Sequence, residues 1–135
     1  MKLKEEGGRM KEEVPNDLRG RTKAFALRIV RMFTALPKTT EAQVLGKQVL
    51  RSGTSVGANY REAYRGRSRA EFAAKAGDCL KELEETAYWL ELLEEGGIVE
   101  AARLKDLRQE ADELIAIFVT IIKKARQKQN MSERG

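Results

Sequence analysis

Lys47, Arg51, Arg61 and Arg65 recur along one stretch of the chain with small Thr54 and Ala58 between them. At 100° per residue these cations share one helical stripe, and such a spacing can track successive phosphates of a nucleic acid backbone. Arg67 and Arg69 extend the set around a turn. Binding on this stripe is expected to be electrostatic and steeply salt-dependent, with RNA and DNA equally open, because no recognition helix or aromatic platform accompanies it. Tyr60 and Tyr64 read as packing residues. The same arginines are natural partners for an acidic stripe made of Glu71, Asp78, Glu82 and Glu85, from which Trp89, the sole tryptophan, also projects. Docking of that stripe on the arginines of another copy is a heterologous contact, which closes into a ring when repeated by rotation. The other reading of the stripe is a solvated face with Trp89 on a hydrophobic shoulder.

Catalysis finds little support in these residue types. The chain has no histidine, so the Glu-x-x-His ligands of di-iron bundles and the usual imidazole base are both missing. The run Leu45-Gly46-Lys47-Gln48 resembles part of a phosphate-binding loop but lacks the first glycine and the Ser or Thr after the lysine. The single cysteine, Cys79, falls on an apolar seam and reads as a small buried hydrophobe, which excludes a disulfide framework. No catalytic residue, metal site or cofactor is expected.

The elements that must position these side chains are legible as 4-3 apolar repeats. Leu18, Thr22, Phe25, Ile29, Met32 and Leu36 predict a first helix from about Asp17 to Leu36, stopped by Pro37. Thr40 and Gln43 have capping-box spacing, and Leu45, Val49, Ser52, Val56, Asn59 and Ala63 continue as a second seam. Gly46, Gly53 and Gly57 line one flank of that helix. Each costs about 1 kcal/mol relative to alanine, so the flank implies close approach of another helix, or else a kink near Ser52-Gly53. Polar Ser52 and Asn59 on the seam are expected to fix register and pairing. Ser68 and Glu71 form another capping box, opening a third helix with Phe72, Ala76, Cys79, Leu83, Leu90 and Leu93 inward, ended by Gly96-Gly97. A fourth helix carries Leu104, Leu107, Ala111, Leu114, Phe118 and Ile121. Short connections favour an all-α, antiparallel up-down-up-down four-helix bundle over residues 17–126. Residues 1–16 and 127–135 are polar without apolar periodicity and are expected to be disordered tails.

The length of 135 residues and 41% hydrophobic content suit one domain with its own core. Charge is uneven: residues 17–36 carry +4, 37–67 carry +4 and 68–97 carry −5. No apolar run is long enough for a signal peptide or a membrane span, so a soluble cytoplasmic protein is expected, with no membrane partner.

The run RSGTSVGANYREA from Arg51, followed by SRAEF and KELEETAYWLELL, with DLRGRTKAFALRIV at Asp17 and LGKQVLRSG at Leu45, resembles the 23S ribosomal RNA intervening sequence protein family. The resemblance covers roughly residues 17 to 125. It implies a small antiparallel helical bundle, and the family is similar to the accessory variability protein of diversity-generating retroelements. That protein is a ring-shaped homopentamer that binds nucleic acid and a reverse transcriptase. The resemblance also marks Arg51, Asn59, Glu62 and Glu85 as a recurring polar set, for which a structural role is expected. Two function classes stand side by side: a homo-oligomeric nucleic-acid-binding accessory factor, and a structural or protein-interaction module.

Overall fold

The 4-3 repeats become four helices in the computed structural model, which describes residues 17–134; the expected tail of residues 1–16 lies outside them. Helices α1 (Leu18–Thr34), α2 (Thr40–Tyr64), α3 (Arg69–Glu95) and α4 (Ala101–Arg134) follow in order, with no strand among the described residues. Each packs on the next in sequence, while α1 and α4 meet only sparsely. This is the expected four-helix bundle.

The helix ends show how local chemistry sets these bounds. The cap of α2 is Thr39 rather than Thr40: its hydroxyl accepts from the Ala42 amide at 3.3 Å, while the Gln43 side chain donates back to the Pro37 carbonyl at 2.8 Å. At α3 the expected pair forms, with the Ser68 hydroxyl accepting from the Glu71 amide at 3.0 Å and the Glu71 carboxylate accepting from the Arg67 amide at 2.8 Å. The α3 end is a Schellman motif, in which Gly97 at φ 75 lets the Ile98 amide donate to the Leu93 carbonyl at 3.0 Å. One boundary differs clearly from expectation. Helix α4 runs on to Arg134, where residues 127–135 read as a disordered tail. Gln, Lys, Arg and Met are good helix formers, and no Gly or Pro interrupts them before Gly135.

The core contains Phe25, Ile29, Val49, Val56, Tyr60, Phe72, Leu83, Leu90, Leu114 and Phe118, all essentially buried. On α2 the buried stripe is turned toward the glycine flank relative to the expected seam. Gly46, Gly53, Gly57 and Tyr60 are buried, whereas Leu45 and Asn59 are half-buried. The cause is α1, which lies in the trough the glycines leave. A Cβ on Gly53 would stand 2.8 Å from Ile29 Cγ1, one on Gly57 3.3 Å from Thr22 Oγ1, and one on Gly46 2.5 Å from Leu36 Cδ1. Helix α2 is unbroken through all three, so the glycines serve close packing and not a kink.

Candidate functional site

The α2–α3 interface gathers most of the polar residues that the sequence singles out. Ser52 and Thr86 are fully buried at its centre, with Thr86 Oγ1 2.7 Å from Ser52 Oγ and 2.7 Å from the Glu82 carbonyl oxygen. One helical position back on each helix, the Arg51 guanidinium binds the Glu85 carboxylate and reaches Glu82 Oε1 at 3.4 Å. The Trp89 indole N–H donates to the same Glu85 oxygen at 3.2 Å. Further along, Lys75 pairs with Glu62 at 2.9 Å. Register explains the alignment: antiparallel helices place Arg51 and Ser52 opposite Glu85 and Thr86, so the positions next to each seam face one another across the groove.

This arrangement relocates the acidic stripe. Glu82, Glu85 and Trp89 border α2 of the same chain, where Arg51 binds the two carboxylates and Trp89 donates to Glu85. Trp89 is half-buried against the core, which is the hydrophobic-shoulder arrangement, while its neighbour Tyr88 is 53% exposed with ring centroids 5.2 Å apart. Glu71 caps α3 and Asp78 is exposed. Arg51 raises its own pKa by binding Glu85, and that hydrogen bond, then the one from Trp89, holds the Glu85 carboxyl below its ordinary range. A carboxylate so stabilised is a poor proton donor at neutral pH. Burial pushes the Cys79 thiol up to about 12, which removes it as a nucleophile.

The basic stripe divides. Arg51 is engaged, but Lys47, Arg61, Arg65 and Arg67 are exposed, and Lys47 and Arg61 form no ion pair among the described residues. Arg69 is exposed and has its own contacts. Thr54 and Ala58 leave the outer face of α2 low between the cations. Among the structural polar residues, Ser52 is buried and hydrogen-bonded, Asn59 is half-buried, and Glu62 is exposed with its carboxyl held low by Lys75. Among the described residues, no group of three acidic or cysteine side chains is placed to hold a metal, and no helix is long and apolar enough to cross a membrane.

Two sets of partners escaped the sequence reading. Thr86 fills the gap in the α3 repeat between Leu83 and Leu90, a position whose spacing alone marks it as inward. The Arg21 guanidinium spans to α4, donating to Glu110 at 2.7 and 2.9 Å and to Glu113 at 2.6 Å, and Arg108 pairs with Glu94 at 2.6 Å. No short-range spacing signals contacts between helices so distant in sequence.

Comparison with known proteins bears on this geometry. The family model described as 23S rRNA-intervening sequence protein matches residues 16–120. Among solved structures, a protein of unknown function from the S23 ribosomal protein family of Bacteroides thetaiotaomicron is 39% identical, over 80% of this chain and 96% of that one, with a TM-score of 0.74. No curated protein matches the chain.

Proposed function

Since this chain belongs to the 23S rRNA-intervening sequence protein family, we propose that it works without catalysis, as a cytoplasmic homo-oligomer that holds nucleic acid by its phosphates. Its partner in that role would be a reverse transcriptase or another ribonucleoprotein, and its assembly the pentameric ring that the sequence resemblance implies. The observation that carries this reading is the outer face of α2, where Lys47, Arg61 and Arg65 stand exposed around Thr54 and Ala58. Lys47 and Arg61, which form no ion pair among the described residues, are available to displace counterions from a phosphate backbone, and Arg65 lies close enough to Glu62 to be partly balanced. Arg51 leaves the set because Glu82 and Glu85 already neutralise it.

The test is fluorescence anisotropy of a labelled mixed-sequence strand with the wild type and with Arg61→Glu/Arg65→Glu. At low salt the double variant is expected to bind at least about tenfold more weakly while its light-scattering mass is unchanged. Undiminished binding would overturn the assignment of α2.

Exposed Tyr88 beside Trp89 favours a second reading, a protein-interaction module, since aromatic residues are enriched in interfaces. Under either reading Tyr88 belongs to the assembly contact. Tyr88→Ala is therefore expected to lower the mass of the oligomer, and an unchanged mass removes Tyr88 from that contact.

A further inference from the structure

The four antiparallel helices place the start of α1, the α2–α3 turn and the C-terminal part of α4 at one end of the bundle, and the α3–α4 turn at the other. These ends differ in charge. At the first, Arg65 and Arg67 flank the turn, and Lys123, Lys124 and Arg126 stand exposed on α4. Arg67, Lys123, Lys124 and Arg126 make no side-chain hydrogen bond or ion pair among the described residues. At the second, Glu91, Glu94 and Glu95 crowd the end of α3 and Glu100 follows in the turn, balancing the exposed cations Lys38, Arg103 and Lys105 of the same end.

Helix dipoles do not account for this pattern. Cations are favoured in the last turn of a helix, and the effect fades within that turn. Lys123, Lys124 and Arg126 lie more than a turn before the α4 terminus at Arg134. The end of α3 runs against the dipole outright, with no basic residue in its last turn and three glutamates close by, of which Glu94 is paired, to Arg108 at 2.6 Å. Two features that local stability does not explain therefore point the same way along one axis.

We infer that the nucleic acid strand docks on the basic end of the bundle, with Lys123, Lys124 and Arg126 of α4 contacting phosphates together with Arg65 and Arg67. This rests on the nucleic-acid reading above and deepens it, extending the binding surface from α2 onto α4. The three α4 cations fan out around the helix, with Lys124 about 100° to one side of Lys123 and Arg126 about 60° to the other. A flexible strand can follow such a surface, whereas a flat anionic membrane meets only one side of it.

The test compares two triple reversals of equal charge in the full chain, with folding checked by circular dichroism. Lys123→Glu/Lys124→Glu/Arg126→Glu alters the basic end, and Lys81→Glu/Arg103→Glu/Lys105→Glu alters exposed cations outside it. A labelled single-stranded RNA and a DNA of the same sequence are titrated at several salt concentrations. The α4 triple should weaken binding at least about tenfold and flatten the logarithmic salt slope by about 2, the share of three phosphate contacts on a single strand. The other triple should change affinity less than about threefold. Glutamine replacements at the three α4 positions should reproduce the loss in smaller measure if reversal disturbs the fold. Equal weakening by both triples would show that net charge alone matters, and wild-type binding that survives the α4 changes would place the strand elsewhere; either result overturns the inference. Tighter binding to phosphatidylserine vesicles than to the strand would overturn it in favour of a membrane surface. Failure of the wild type to bind any strand at low salt would instead remove the nucleic-acid reading beneath it.

Discussion

Ser52 and Thr86 share a buried hydrogen bond whose value depends on both partners being present. Thr86→Val leaves the Ser52 hydroxyl with only a long contact of 3.5 Å to the Val49 carbonyl, an expected loss of about 1–2 kcal/mol in denaturant unfolding. Adding Ser52→Ala should cost less than the sum of the single changes, and strict additivity would show that the hydroxyls do not interact. Glu85 makes stability pH-dependent. Its folded pKa is depressed, so it binds fewer protons when folded, and its contribution is complete above the unfolded value of about 4.3. That contribution is lost as the pH falls through the lower folded value. Melting temperature should therefore decline from about pH 5 downward, and Glu85→Gln should flatten part of the decline; an identical pH profile in the variant would exclude Glu85 as a cause. The identities of these polar residues were legible as a group, but their pairing was not. The Arg51–Glu85 pair within one chain lies beyond sequence spacing, because a helical wheel reports an angle and says nothing of which neighbour occupies it.

The glycines of α2 offer a contrast between helices with and without a close neighbour. Gly53→Ala would press a Cβ on Ile29, whose branched side chain has little freedom to retreat, and the expected cost is about 1–3 kcal/mol despite the better helix propensity. Gly77 in α3 has nothing within 4 Å of a would-be Cβ, so Gly77→Ala should stabilise by about 0.5–1 kcal/mol. Thermal unfolding of the two variants should shift in opposite directions, and a shared direction would mean that α1 does not lie in the glycine trough. The number, order and inward faces of the helices were readable from 4-3 spacing, Pro37, Ser68 and Gly96-Gly97. The turn of α2 about its axis was not, because burying a glycine needs a neighbour and adds nothing to an apolar count. Nor was the helicity of residues 127–134, whose polar composition suits a solvated helix as well as a coil.

As a whole the molecule differs in charge between its ends, and part of that pattern opposes its stability. Glu95→Lys should favour the folded state by about 0.3–1 kcal/mol through the α3 dipole. A variant that melts lower than wild type would contradict the dipole account. The uneven closure of the bundle acts on another property. Helix α1 lies along α2, is tied to α4 through Arg21, and otherwise has sparse contact there. A layer held mainly on one side can detach while the remaining three helices keep their shared core, which makes residues 18–34 a separate opening unit. Amide protons of α1 should thus exchange with solvent at a lower free energy than those of α3, and cutting the Arg21 link should speed exchange in α1 alone.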